Sequence, residues 1–293
     1  MTQGKILFSS GSLWEKIAQT TTHALKCGAL KPIPTNLEII ENEQVKFIVR
    51  ILANLTQKQA AKEKQERKKQ ETGKEFNPFL PYEQDLFVTD ISQTHVCILN
   101  KFNVVDHHLL IITRAFEEQE SLLTLEDFQA MWAVLNDVNG LVFYNGGKLA
   151  GASQRHKHLQ LVPIHEYEIP ITPLLGKAKF KNGIATIPGL PFLHAFTTLY
   201  PDESPEMTLD KYYALLELVN IQAIDNQKQS GAYNFLATRE WMLVVPRSQE
   251  EYESISVNSL GFAGCLLVKN SQQMQLVKNV GAMNILKKVA FSV

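Results

Sequence analysis

Six residues, His156-Lys157-His158-Leu159-Gln160-Leu161, set the tightest limit on what this chain can fold into. Side chains of a strand alternate between faces, so in extended form His156, His158 and Gln160 line one face while Lys157, Leu159 and Leu161 line the other. Three nitrogen-bearing groups then converge in a row. Just upstream, Asn145-Gly146-Gly147 and Gly151-Ala152-Ser153 lack bulky side chains, which lets backbone N–H groups and the Ser153 hydroxyl approach phosphate oxygens closely. A small-residue loop feeding a polar strand suggests an anion site. The His-x-His pair alone is equally compatible with metal ligation or with chance histidines in a core or at a surface.

The remaining chain mixes strands with helices. Ser12 and Glu15 have the spacing of a capping box, and the apolar positions that follow predict a helix to Leu25 before Gly28, ended by Pro32-Ile33-Pro34. Val45 to Leu52 reads as a strand, or as the start of a helix continuing into Gln57 to Gln70. Lys58 to Lys74 alternates basic and acidic residues, as a solvated face or a mobile loop does; the sharper reading is a lid that brings lysines to polyphosphate, Lys74 foremost. Thr94 to Asn100 and His107 to Thr113 predict an antiparallel hairpin. Thr124 with Asp127 opens a helix to about Asn139. Strands at Leu141 to Tyr144 and His156 to Pro163 flank the loop of residues 145–155.

Beyond Pro170 and Pro173 the sequence is loop-like to Pro191. A strand around Phe192 to Tyr200, a helix from Thr208 to about Gln229, and strands at Tyr233 to Thr238 and Met242 to Pro246 follow. This repeats the vocabulary of the first half, so the expected class is α+β, divided into an N-terminal catalytic region, 1–184, and a C-terminal lobe, 185–293.

Size and charge exclude other classes. With 293 residues, 45% of them hydrophobic, the chain can bury one large core or two joined ones. A formal net charge of -1 leaves no global positive field, so no nucleic-acid partner is expected and any anion must be captured locally. No apolar run approaches the ~20 residues that cross a bilayer, and the N-terminus lacks the regions of a signal peptide, so no membrane is expected. Cys27, Cys97 and Cys265 are odd in number and far apart, which indicates neither a disulfide framework nor a thiolate zinc site and fits a cytoplasmic protein.

The His156 to Gln160 segment resembles the histidine-triad superfamily, in the His-x-His-x-Gln variant shared by galactose-1-phosphate uridylyltransferases and ATP adenylyltransferases. Asn100 and His108 fall at the eight-residue spacing of that superfamily's first motif. Asn145, Gly147, Gly151, Ser153, His156 and His158 fall in register with its later one. The likeness is fullest to the ATP adenylyltransferase, or diadenosine tetraphosphate phosphorylase, family: in Asn77-Pro78-Phe79-Leu80-Pro81, in Leu99 to Thr113, in Gly151 to His158, in Tyr233 to Arg247 and in Asn258 to Gly264. Arg155 departs from the pattern, standing where a proline often precedes the first histidine.

The resemblance implies a histidine-triad-like, mainly antiparallel sheet flanked by helices, with a second related C-terminal lobe. It implies a nucleotidyl transferase with His158 as nucleophile, His156 as an orienting group, and Gln160 where hydrolases carry a third, proton-donating histidine. Ser153, Gln154 and loop amides would bind phosphate oxygens, with Asn145 and Gly151 in the same loop. Asn100 would hold ribose, while Asn77 and Lys74 would bind substrate beside an adenine wall of Phe79 or Leu80. His108 is expected to be a packed strand histidine. A divalent cation such as Mg²⁺ would travel with the polyphosphate; no protein metal site and no organic cofactor is expected. The implied partners are small molecules (diadenosine polyphosphate, ATP, ADP and phosphate), on a monomer or dimer. Competing expectations are a sugar-1-phosphate or sulfate acceptor, or a dinucleotide-binding regulator without activity.

Overall fold

The computed structural model describes residues 5–52, 77–164 and 169–293. The first helix, α1 (Leu13–Cys27), buries Leu13, Ile17 and Ala24, a stripe at helical period. Ser12 stands at its N-cap, but the expected capping box does not form: the Ser12 hydroxyl donates to Ser9 O. The carboxylate of Asp137 serves the helix start instead, accepting from the N–H groups of Gly11 (2.9 Å) and Leu13 (3.1 Å). Gly28, at φ 77, closes the helix in the left-handed conformation, ahead of the prolines expected to end it.

Strands β1 (Thr35–Asn42) and β2 (Val45–Leu52) form a hairpin through Glu43 and Gln44, both at positive φ. Strand β2 matches the expected strand, while β1 lies outside the expected set. Then come β3 (Phe87–Asp90), β4 (His95–Leu99), β5 (Leu109–Thr113), helix α2 (Leu125–Asp137), β6 (Gly140–Gly146) and β7 (His158–Pro163). The expected hairpin is the β4 and β5 pair, and α2 opens at Thr124, whose N–H donates to the Asp127 carboxylate at 2.7 Å.

The loop expected before Pro191 is partly ordered. It holds a helical turn, α3 (Thr172–Leu175), and a hairpin of β8 (Lys179–Lys181) and β9 (Ile184–Thr186). Asn182-Gly183, with φ 52 and 80, makes that hairpin's turn, which is the residue pair such a turn requires. After β10 (Ala195–Thr198), helix α4 (Pro205–Leu218) starts earlier and ends sooner than expected. Ser204 accepts from the Met207 N–H as its N-cap, Pro205 takes the first helical position, and Asn220 turns left-handed just past the end. A two-residue ribbon, β11 (Ala223–Ile224) with β12 (Lys228–Gln229), takes up the rest of the expected helix.

Strands β13 (Tyr233–Ala237) and β14 (Trp241–Pro246) lie where expected. The chain ends with the short ribbon β15 (Glu251–Tyr252) and β16 (Ile255–Ser256), the turn α5 (Ser259–Phe262), β17 (Cys265–Val268), α6 (Ser271–Val280) and α7 (Ala282–Val289). Strand β17 joins β2 in parallel, so the two ends of the chain share a three-stranded sheet.

The large sheet has ten strands in the order β3-β4-β5-β7-β6-β13-β14-β10-β9-β8, antiparallel throughout. Read outward from the central β6 and β13 pair, both halves run through the same sequence of elements. Phe143 pairs with Leu236 at the centre, and β7 and β14 end in Pro163 and Pro246 at matching register. The fold is therefore α+β with two related lobes sharing one sheet. One sheet face packs against α1, α2 and α4 through Leu109, Ile111, Leu159, Leu161, Phe235 and Met242. The other carries a C-terminal core around Phe143, Leu236 and Leu243 and a smaller cluster of Phe79, Val96, Ile98, Leu110 and Ile112.

Candidate active site

His158 opens β7 opposite Ile112 of β5, and Gln160 lies opposite Leu110 and Phe143, so both face away from the helices. His156 stands two residues before the strand, in an isolated bridge with Glu118, so β7 starts later than expected. Both imidazoles still share a face, because the Phe79 ring packs edge-on against each, at 5.6 Å from His156 and 5.2 Å from His158.

The hydrogen bonds fix the tautomers. Nδ1–H of His158 donates to the carbonyl of His156 at 2.7 Å, which leaves Nε2 with its lone pair. Burial pushes the His158 imidazole down to about 4, against the opposing influence of that carbonyl, so the ring is neutral at physiological pH. His156 is tied at both nitrogens: Nε2–H donates to Thr113 O (2.8 Å), and Nδ1 accepts from Asn77 Nδ2 (3.0 Å). Burial lowers its basicity too. His156 thus acts on His158 through its main-chain oxygen, and its ring has no donor to spare.

Gln160 is oriented by a relay from the neighbouring strands. Asn100 Nδ2 donates to His108 Nδ1 (3.3 Å), and His108 Nε2–H donates to Gln160 Oε1 (3.0 Å). The Gln160 amide nitrogen is left to donate to a ligand. Asn100, expected to hold ribose, gives one amide hydrogen to this relay, and its Oδ1 accepts from the Phe102 N–H at 3.3 Å. Asn77, expected to bind substrate, is likewise engaged: besides the bond to His156, its Oδ1 accepts from the Phe79 N–H at 2.9 Å. Each carboxamide still has a second amide hydrogen and a second oxygen lone pair for a substrate contact.

Asn145 is buried at the inner edge of the site. Its Oδ1 accepts from Ser259 N (2.9 Å), Ser259 Oγ (2.7 Å) and Asn234 Nδ2 (3.0 Å), all from the C-terminal half. These fix the carboxamide, and its Nδ2 donates to nothing among the described residues. The following loop turns at Gly147 and Gly151. A Cβ on Gly151, at φ 88, would lie 2.9 Å from both the Val257 carbonyl and the Asn258 side chain, so this glycine lets the loop lie against the C-terminal half. Ser153 is exposed and Gln154 half-buried. Arg155 is exposed and pairs with Glu118. Lys74 and the rest of the Lys58 to Lys74 segment lie outside the described residues.

Sequence reasoning missed two groups. Lys157, on the opposite face, is fully buried beneath the site, with Nζ 2.6 Å from Asp127 Oδ2 and 3.0 Å from the Leu122 carbonyl. Burial opposes its charge, but Asp127 and Glu117 outweigh that and raise its basicity. Gln119 is also buried, and its carboxamide bonds both the N–H and the carbonyl of His158; no motif spacing marks it, since it lies in an irregular segment. Among the described residues, one cluster has metal-ligand geometry: His23, Cys27 and Asp85, with ligating atoms within 4.8 Å of one another. It sits at the surface around α1, across the sheet from His158.

Two family models cover most of the chain: the Ap4A phosphorylase N-terminal domain over residues 3–177 and the ATP adenylyltransferase C-terminal domain over residues 188–292. Diadenosine 5',5'''-P1,P4-tetraphosphate phosphorylase 2 of Saccharomyces cerevisiae is 32% identical over 238 residues, 71% of this chain and 73% of its own length. Protein APA1 of the same yeast is 29% identical, over 62% of this chain and 63% of its own. The crystal structure of yeast Ap4A phosphorylase Apa2 in complex with Ap4A superposes with a TM-score of 0.81 at 25% identity, covering 98% of this chain and 99% of that one. With both halves matched in order and the fold shared end to end, the chain belongs to the ATP adenylyltransferase (Ap4A phosphorylase) family.

Proposed function

We propose that this protein catalyses phosphorolysis of diadenosine tetraphosphate to ATP and ADP through an adenylyl group carried on His158. The observation that carries the reading is the bond from His158 Nδ1–H to the His156 carbonyl, which leaves Nε2 unprotonated in a ring on the sheet face away from the helices. Nε2 attacks the α-phosphorus, the bond from phosphorus to the bridging oxygen breaks, and ATP leaves with the electron pair. The adenylylated ring gains positive charge, which the His156 carbonyl offsets through the same Nδ1–H. Inorganic phosphate then attacks the same phosphorus, ADP forms, and His158 returns to its neutral state. No proton transfer to the leaving group is required, because ATP is a stable anion, and this suits an amide at Gln160. The amides of Gln160 and Asn145, with Ser153 and Gln154, neutralise the nonbridging oxygens.

A divalent cation, Mg²⁺ or similar, enters with the polyphosphate. Three unpaired thiols suit a reducing cytoplasm. Two displacements at one phosphorus give net retention of configuration.

The test is intact mass after incubation with diadenosine tetraphosphate in the absence of phosphate. The wild type should gain one AMP and lose it on adding phosphate, with ADP released. A His158→Gly variant that takes up AMP as fast as the wild type would remove His158 as the nucleophile.

A further inference from the structure

Strands β6 and β7 pair regularly as far as Phe143 and Gln160. Toward the loop, where Asn145 and His158 come next, a side chain from another segment takes over the pairing. Gln119 Nε2 donates to the carbonyls of Asn145 (3.0 Å) and His158 (3.2 Å), while its Oε1 accepts from the His158 N–H (2.9 Å). Gln119 is itself held from both sides: its N–H donates to Arg155 O at 2.6 Å, and its carbonyl accepts from the Tyr144 hydroxyl at 2.6 Å. It is 2% exposed.

We propose that Gln119 is a positioning residue: its carboxamide wedges β6 from β7 and sets the His158 nucleophile and the Asn145 amide at the separation an α-phosphate needs. The proposal rests on the reading of His158 as nucleophile. In a regular ladder, neighbouring strands lie ~4.8 Å apart and facing Cβ atoms ~5 Å apart, which leaves no room for a phosphate between opposed side chains. A planar amide inserted between the strands spreads them, yet keeps the His158 N–H, the His158 carbonyl and the Asn145 carbonyl bonded, so opening the floor of the site leaves none of these three backbone groups orphaned. The geometry demands one acceptor and two donors at a glutamine's reach. Glutamate lacks the donors, and methionine has the length without either.

Two substitutions test this, read through the rate of AMP uptake from diadenosine tetraphosphate without phosphate, and through AMP affinity. Gln119→Met should slow uptake by about 100-fold, as small displacements of a nucleophile do, with AMP affinity held within about threefold. Gln119→Glu should be slow at pH 8, where a carboxylate faces two carbonyl oxygens. Its rate relative to wild type should climb as pH falls to 5, because a protonated carboxyl regains an O–H donor.

Uptake by Gln119→Met at the wild-type rate, or rate and AMP affinity falling together, would overturn the proposal while leaving His158 in place as nucleophile. If Gln119→Met does not fold, Gln119→Glu decides: a ratio to wild type that stays constant with pH overturns the positioning role, and a rising ratio supports it. Failure of the wild type to take up AMP would instead remove the nucleophile, and this proposal with it.

Discussion

An exposed histidine is half protonated near pH 6.5, and a protonated Nε2 has no lone pair to offer phosphorus. His158 escapes this because burial disfavours the cation, pushing its titration down to about 4. The acid limb of the AMP-uptake rate, measured without phosphate so that the co-substrate does not titrate, should therefore lie near pH 4; a midpoint at 6.5 would show that the ring is solvated. The same burial has a stability consequence of defined sign. Between about 6.5 and 4 the unfolded chain binds a proton that the folded chain refuses, so stability is full above 6.5 and is lost as pH falls through that window, by about 3 kcal/mol for this ring alone. Asn145 offers a second test at this scale. Its Oδ1 holds three donors, and its Nδ2 has no acceptor among the described residues. Asn145→Asp keeps the acceptor, loses the amide donor and sets a negative charge beside phosphate, so it should fold, bind AMP more weakly and take up AMP about 100-fold more slowly. Unchanged uptake would place the α-phosphate elsewhere.

At the scale of elements, the site is a strand end, a loop and a wedge, and they differ in how far the sequence discloses them. The strand carrying His158 and Gln160 is legible because alternation has a period of two and three polar groups share it. The loop is legible through its glycines, but composition does not disclose that Gly151 makes room for Val257 and Asn258 of the C-terminal half. Such a contact joins residues about a hundred positions apart, which local pattern cannot disclose. Gly151→Ala should cost about 2 kcal/mol, since it combines a positive φ with a 2.9 Å approach to backbone, and should show as a lower urea midpoint; an unaltered midpoint would mean the loop relaxes freely. The engagement of Asn77 and Asn100 with His156 and His108 was hidden for the same reason, as was the Asp137 cap of α1. Elements misjudged in length, such as α4, carried readable signals in Ser204-Pro205, and the β8 and β9 hairpin was spelled by Asn182-Gly183.

Over the whole molecule, two lobes of one topology contribute unequally to a single centre. Matching Pro163 to Pro246 brings Trp241 to the place of His158 and Leu243 to that of Gln160, so the C-terminal lobe repeats the framework without the nucleophile. His194 precedes β10 as His108 precedes β5, but it is closed on itself, with Nδ1–H donating to Phe192 O and Nε2 accepting from the Ile187 N–H, each at 2.7 Å. What the C-terminal lobe supplies is support, relayed from Arg247. This buried guanidinium uses all five of its donors on neutral oxygens: Val289 O, Asn234 Oδ1, Val257 O, Gln249 O and Glu250 O, at 2.6 to 3.0 Å. Asn234 then passes the constraint to Asn145. Lysine gathers three donors on one nitrogen where the guanidinium spreads five over three, so Arg247→Lys gives up at least two of these bonds and should lower stability by about 3 kcal/mol or more. Because that chain of bonds ends at Asn145, tryptophan fluorescence and AMP binding should be lost together in urea for the wild type. In Arg247→Lys, AMP affinity should fall even under conditions where the fold persists. Full AMP affinity in a folded Arg247→Lys protein would show that the C-terminal lobe steadies the site by some route other than this one.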